Sequence, residues 1–332
     1  MSELLSVEHL SIGIRSRPRR PWLLAVEDIR LRVRTGEIVG IVGESGCGKS
    51  LTALALMGLL PPGIEVVAGS ISYAGQRLDR ARPRELNQIR GKDIAIVFQD
   101  PMTSLNPLLR IGTQVAEPLL LHGWHDAAKV RERVLEILTK VGLPQPEELL
   151  RAYPHQLSGG MLQRVMIATA IICKPRLLIA DEPTTALDVT TQAQILQLLR
   201  HINRVQDTSI LFISHDLGVI NQICDRLLVM YAGSFVERGP VTSIFWHPVH
   251  EYTKGLLGSI PTRHSKGSPL ANIPGRVPAV GEKTAGCAFA PRCPRASALC
   301  FSERPPELDL SETHSVKCFL NDLESEMEYA RI

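Results

Sequence analysis

Residues 43–50 read Gly43, Glu44, Ser45, Gly46, Cys47, Gly48, Lys49, Ser50, directly after the apolar run EIVGIV (37–42) and directly before the helical pattern LTALALMGLL (51–60). A strand that ends in a glycine-rich turn and feeds a helix commits a chain to an α/β architecture with a helix-flanked parallel sheet. The spacing G-x-x-x-x-G-K-[ST] is that of a loop that cradles phosphates. Its glycines let the backbone curl until successive N–H groups face the anion, and the helix N-terminus adds positive potential. Lys49 would reach the β and γ phosphates, and the Ser50 hydroxyl would coordinate Mg²⁺. From average residue frequencies, an accidental match in a chain of this length has odds of about one in a hundred, before the flanking strand and helix are counted.

The surrounding pattern agrees. Residues 4–14 and 25–34 alternate as strands, and Gly69 to Leu78 adds a third with a turn at Gly75. RLLIAD (176–181) and SILFIS (209–214) are β-rich runs, each followed by a helical stretch. Between about Asp100 and Pro175 the pattern is almost entirely helical, so an inserted helical subdomain is expected. With 332 residues, 44% apolar and 21% charged, the chain can bury a large core, and wholesale disorder is excluded. The net charge is only +3, and the one basic run is Arg15, Arg17, Arg19 and Arg20. That run reads as a solvated loop, with an acidic membrane surface or partner as the alternative, and no nucleic-acid partner is expected. No apolar run reaches the roughly 18 residues of a membrane span. The N-terminal MSELLSVEHL does not look like a secretory signal, so a cytoplasmic chain is expected.

The run Leu177–Glu182 is an apolar strand ending in two carboxylates. Asp181 stands where a Mg²⁺ ligand belongs, and Glu182 where a base could polarise an attacking water. Four further features are weak singly. Ser158, Gly159 and Gly160, in LSGGMLQ, open a helix for which Ser158 is also an ordinary N-cap. Gln99 follows the strand AIVF, His215 follows ILFIS, and Asp188 lies seven residues beyond Asp181, where a turn aspartate would also fit.

In their order and spacing, the phosphate loop, Gln99, LSGGMLQ, LLIADEP, ALD and SHD resemble the nucleotide-binding domain of ABC transporters over residues 4–245. The resemblance implies a RecA-like α/β core with an antiparallel β subdomain and an inserted helical subdomain. It also implies two such chains, head to tail, with ATP and Mg²⁺ sandwiched between them. Residues 43–50, Asp181 and Asp188 would serve the bound nucleotide. Ser158, Gly159 and Gly160 would touch the γ-phosphate held by the partner's loop, and His215 would hold the γ-phosphate of its own. Ser50 and Asp181 would hold Mg²⁺, and Gln99 would sense the metal and the γ-phosphate. The family stacks adenine on an aromatic where this chain has Ile14, and the nearest aromatic is Trp22.

Cys287, Cys293, Cys300 and Cys318 follow the spacing C-x5-C-x6-C-x17-C, beyond a change of composition near Trp246 and a proline-rich stretch, 261–278. Four soft thiolates suit zinc or an iron–sulfur cluster, and the spacing alone does not choose. The segments HPVHEYTKGLLGSIP (247–261), IPGRVPAV and GCAFAPRCPRASALC resemble the C-terminal extension of dipeptide/oligopeptide permease ATPases, with Glu251 where that family usually has proline. The implied division is a nucleotide-binding domain over 1–245 and an extension over 246–332, with a [4Fe-4S] cluster favoured over Zn²⁺. The implied function is ATP hydrolysis that energises import of di- and oligopeptides at the cytoplasmic face of the membrane. Implied partners are a related ATPase chain in a heterodimer, two permease subunits and an extracytoplasmic binding protein. Nickel, an oligosaccharide or an antimicrobial peptide is the alternative cargo. A soluble ABC ATPase of ribosomes or DNA fits less well, because the chain has one ATPase unit, no long coiled coil and no paired CxxC module.

Overall fold

The computed structural model describes residues 2–15, 21–185, 187–260, 272–282 and 285–319. Two alternating segments become β1 (Glu3–Ile14) and β2 (Leu23–Arg34), paired antiparallel. Val7, Leu10 and Ile12 of β1 and Val26, Ile29, Leu31 and Val33 of β2 are buried beneath them. β3 (Ile38–Val42) follows, then the glycine-rich loop and α1 (Lys49–Leu56). β4 (Ile64–Tyr73) and β5 (Gln76–Arg77) complete a four-stranded antiparallel sheet in the order β2-β1-β4-β5. β4 begins at Ile64, five residues before the expected Gly69. Gly69, at φ +89°, marks a register shift against β1 rather than a strand start, and Ile64 and Val66 pack on the core before it.

After α2 (Pro83–Ile89), β6 (Ile94–Val97) leads into the expected helical stretch. It comprises α3 (Pro101–Ser104), α4 (Ile111–Leu121), α5 (Ala127–Lys140), α6 (Pro146–Leu149) and α7 (Gly159–Ile171). Then β7 (Leu177–Asp181), α8 (Val189–Gln206), β8 (Ser209–Ser214), α9 (Leu217–Ile223) and β9 (Arg226–Tyr231) alternate. β10 (Ser234–Pro240), α10 (Val241–Trp246), α11 (Glu251–Gly258), α12 (Ala298–Ser302), β11 (Glu307–Asp309) and β12 (Ser315–Lys317) finish the described fold. The second sheet has eight strands in the order β11-β12-β10-β9-β3-β8-β7-β6. From β9 to β6 its pairs are parallel, and the three strands beyond β9 pair antiparallel.

The continuous apolar runs are explained by burial on both faces. Ile38, Leu178, Ala180, Ile210 and Phe212 point into a core shared with the helices α4, α5, α7 and α8. Their neighbours Val39, Ile41, Leu177, Ile179, Leu211 and Ile213 point into a second core beneath the antiparallel sheet. Each fully buried aliphatic side chain there stabilises the fold by roughly 1.5–3 kcal/mol.

The tail is stitched into this frame. β12 pairs with β10 through Glu237↔Val316 and Arg238↔Ser315. The Glu237 carboxylate, 1% exposed, accepts from the Val249 and His250 N–H groups at 2.9 and 3.0 Å and from His314 Nε2 at 3.0 Å. Tyr252 and Phe289 join the first core and meet Tyr231 in tilted and edge-on ring contacts, with ring centroids 4.6–5.5 Å apart. Among the described residues, no helix is long and apolar enough to cross a membrane. Arg17, Arg19, Arg20 and residues 261–271 of the proline-rich stretch lie outside the described residues.

Candidate functional site

The glycine-rich loop leaves the buried end of β3 and enters α1 through Gly48, whose φ of +109° is the left-handed region that side chains avoid. A side chain at Gly43 would collide with the carbonyl oxygen of Met230 on the neighbouring strand β9, so the loop lies close against the sheet. Lys49, 5% exposed, folds back along the loop. Its Nζ donates to the carbonyls of Gly43 at 2.7 Å and Glu44 at 3.1 Å.

Asp181 ends β7 and Glu182 follows it, opposite that lysine. The Asp181 carboxyl is buried and hydrogen-bonded by Ser50, and its Oδ1 has no hydrogen-bond partner among the described residues. Burial pushes its pKa up, while the Ser50 hydrogen bond favours the charged form. A buried carboxylate oxygen left free beside a hydroxyl is a donor pair of the hard kind that Mg²⁺ takes. Glu182 is held at φ +48°, a strained conformation for a residue with a side chain. Its Oε2 accepts from Gln99 Nε2, Thr185 Oγ1 and His215 Nδ1, each at 3.0 Å, and its Oε1 lies 3.9 Å from Lys49 Nζ. The structure thus gathers the phosphate loop, Ser50, Asp181, Glu182, Gln99 and His215, which the sequence spreads over more than 170 positions.

A second group lies on other elements. Ser158 caps α7, its Oγ accepting from the Met161 N–H at 3.4 Å. Asp188 caps α8 and accepts from the Thr191 N–H at 3.0 Å and from Thr191 Oγ1 at 2.6 Å. A side chain at Gly160 would come within 2.9 Å of the Thr191 methyl, so Ser158, Gly159, Gly160 and Asp188 belong to one neighbourhood. Asp188's contacts are those of a cap, and none of them reaches the loop of its own chain. Trp22 lines a cavity of about 1030 Å³ together with Gly46, but one ring face is taken by the Arg15 guanidinium, 3.9 Å from its centre.

Cys287, Cys293, Cys300 and Cys318 line one cavity of about 190 Å³, with His250, Glu251 and Phe289. Burial, with the charge of the neighbouring cysteines, pushes the thiols of Cys287, Cys293 and Cys318 up, the last to about 12. As the side chains stand, no group of three or more His, Cys, Asp or Glu among the described residues is placed to hold a metal ion. The expected centre is therefore present as a shared pocket of thiols and not as a formed ligand set. Cys47 and Cys224 are buried, and Cys173 is half-buried.

Three participants carry no motif of their own. Thr185 braces Glu182 from one turn downstream, a spacing that could have betrayed it. Tyr252 receives the Glu44 N–H at 2.8 Å. Arg292 reaches Glu44 with both Nη atoms, at 2.8 and 3.1 Å. For the last two, 208 and 248 positions away, the sequence holds no signal.

Comparison with known proteins matches residues 26–185 to the family model of the ABC transporter. Residues 236–300 match that of the oligopeptide/dipeptide transporter C-terminal region. The dipeptide transport ATP-binding protein DppD of Bacillus subtilis is 46% identical over 327 residues, 98% of this chain and 97% of that one. The oligopeptide transport ATP-binding protein OppD of Salmonella typhimurium is 48% identical over 283 residues, 85% and 84% of the two chains. Among solved structures, a dimeric post-hydrolysis state of the ATP-binding cassette MJ0796 bound to ADP and Pi superposes with a TM-score of 0.65 at 28% identity. That likeness covers 72% of this chain and 99% of the other.

Proposed function

This chain belongs to the ATP-binding subunits of dipeptide and oligopeptide ABC transporters, and from that premise we propose that its ATP hydrolysis drives peptide import through permease subunits carried on other chains. The observation that carries the catalytic part is the convergence of Gln99, Thr185 and His215 on Glu182 Oε2, opposite Lys49. In this reading the loop N–H groups and Lys49 bind the β and γ phosphates, and Lys49 leaves the Gly43 and Glu44 carbonyls to do so. Ser50 and Asp181 would hold Mg²⁺, with Gln99 as the third residue toward it. Bound magnesium would supply neutralising charge at the transferred phosphoryl. Glu182 accepts the proton of the attacking water, and His215 and Gln99 keep its carboxylate aimed. Ser158, Gly159 and Gly160, at the start of α7, meet the nucleotide of a second chain, and Asp188 supports them. This reading requires two cassettes, here a pair with a related ATPase.

Residues 1–245 form the nucleotide-binding part and 246–332 the extension in this reading. Met102, Leu108 and Leu109 follow Gln99 and are 62%, 83% and 41% exposed. They give the γ-phosphate sensor a neighbouring apolar surface for a permease at the cytoplasmic face, and an extracytoplasmic binding protein would deliver the peptide. ATP-dependent uptake of labelled di- and oligopeptides by cells making the whole transporter tests this. Uptake is expected with the unaltered chain and absent with Lys49→Ala; competition by nickel or an oligosaccharide, and none by peptides, would overturn the cargo.

The donor chemistry of Cys287, Cys293, Cys300 and Cys318, four thiols on one pocket, fits a soft metal, and we favour an iron–sulfur cluster over zinc. These cysteines would hold it, and it would supply a cross-link between segments too small to pack alone. Anaerobically purified protein should contain about four irons and matching sulfide per chain, lost in Cys293→Ser; one zinc and no iron would reverse the choice.

A further inference from the structure

A carboxylate in a loop built to bind a triphosphate is an electrostatic liability, and Glu44 is such a carboxylate. The fold answers it from the far end of the chain. The Arg292 guanidinium, 6% exposed, meets both Glu44 oxygens end-on through its two Nη atoms, at 2.8 and 3.1 Å. Its remaining N–H groups donate to the carbonyls of Pro274 at 2.8 Å and Ile273 at 3.1 Å and to the Tyr231 hydroxyl at 3.4 Å. All of the fork is thus used, and its position is fixed by the tail backbone and by β9. Other atoms of Glu44 are tied as well. Its N–H donates to the Tyr252 hydroxyl, and its carbonyl accepts from Lys49 Nζ. The residue that helps park the phosphate-binding lysine is therefore gripped by two side chains from beyond residue 245. The same tail lines the large cavity beside Gly46 through Pro278, Ala279 and Gly281.

We propose that Arg292 is a positioning residue for nucleotide binding: it neutralises Glu44 and turns that carboxylate toward the tail, so that the phosphate loop presents donors alone to the incoming triphosphate. The proposal rests on the reading of residues 43–50 as the ATP site. Arg292 touches neither substrate nor metal, and it acts through Glu44.

The test measures MgATP affinity by nucleotide titration, and KM and kcat for hydrolysis, on the full chain and its variants. Arg292→Gln should raise KM and the dissociation constant about tenfold, the scale of one screened charge–charge repulsion, with kcat altered much less. Adding Glu44→Gln to Arg292→Gln should bring KM back toward the starting value, because the offending charge is gone. An arginine that merely held the tail would show no such rescue, since the double variant lacks the clasp equally. Arg292→Lys, which keeps the charge but loses the fork, should fall between and serves if Arg292→Gln does not fold. Unmoved KM in Arg292→Gln, or a double variant no better than the single one, overturns the proposal. Failure of the unaltered chain to bind MgATP would instead overturn the phosphate-loop reading itself.

Discussion

Glu182, the proposed base, shows what a single residue must tolerate to stand where this reading puts it. Its backbone is held at φ +48°, which costs on the order of 1 kcal/mol or more for a residue with a side chain. Three donors at 3.0 Å then converge on one of its oxygens. Such bracing leaves the other oxygen 3.9 Å from Lys49 Nζ, free in the proposed reading to take the proton of the attacking water. Glu182→Gln keeps the size and most of the hydrogen bonding but removes the proton acceptor. We predict hydrolysis slowed by about 10²–10⁴-fold with MgATP binding retained, and accumulation of an ATP-bound dimer. Steady-state hydrolysis read beside gel filtration checks this, and turnover within a few-fold of the unaltered chain would remove Glu182 from the role of base.

At the scale of elements, the junction of β10, α11 and β12 carries the acid sensitivity of the fold. His250 caps α11, accepting the Tyr252 N–H at 3.1 Å on Nδ1. Burial lowers its pKa from 6.5 to about 4, against the opposing pull of Glu237 and Glu251. The folded chain thus holds this imidazole neutral where the unfolded chain protonates it. The stability it protects is complete above pH 6.5 and is lost as pH falls toward 4, by up to about 3 kcal/mol. Burial pushes the Glu237 carboxyl up, but the His314 hydrogen bond and the Val249 and His250 N–H groups outweigh it and leave it below the ordinary carboxylate value. Its contribution disappears in the same direction, at lower pH. His250→Asn, which can still cap the helix, should flatten melting temperature against pH between 6.5 and 4; an unchanged slope would place the sensitivity elsewhere.

These elements also mark how far the sequence could be read. β3, β7 and β8 were legible because burial on both faces leaves an unbroken apolar run, and the loop at 43–50 because its spacing admits few alternatives. The Gln99, Glu182 and His215 positions were legible because each follows such a strand. β11 and β12, at three residues each, are too short for periodicity to register. Their place at the sheet edge depends on Glu237 and His314, a buried pair 77 positions apart. Arg292 and Tyr252 were illegible for the same reason: each completes a site whose other half lies at the opposite end of the chain.

At the scale of the whole molecule, two groupings of the proposed site residues lie on different elements of one chain. The loop, Asp181, Glu182 and His215 lie together, and Ser158 to Gly160 lie with Asp188 and Thr191 on other elements. The tail, meanwhile, is the outer margin of the sheet that carries the catalytic strands. In genetic terms, that placement sets the phenotype of late truncations. A nonsense codon anywhere between the codons for Trp246 and His314 removes β12 from the edge of β10, takes His314 from the Glu237 carboxylate and exposes a strand edge ready to pair with another chain. Such alleles belong with nulls of the phosphate loop rather than with mild losses of an accessory module.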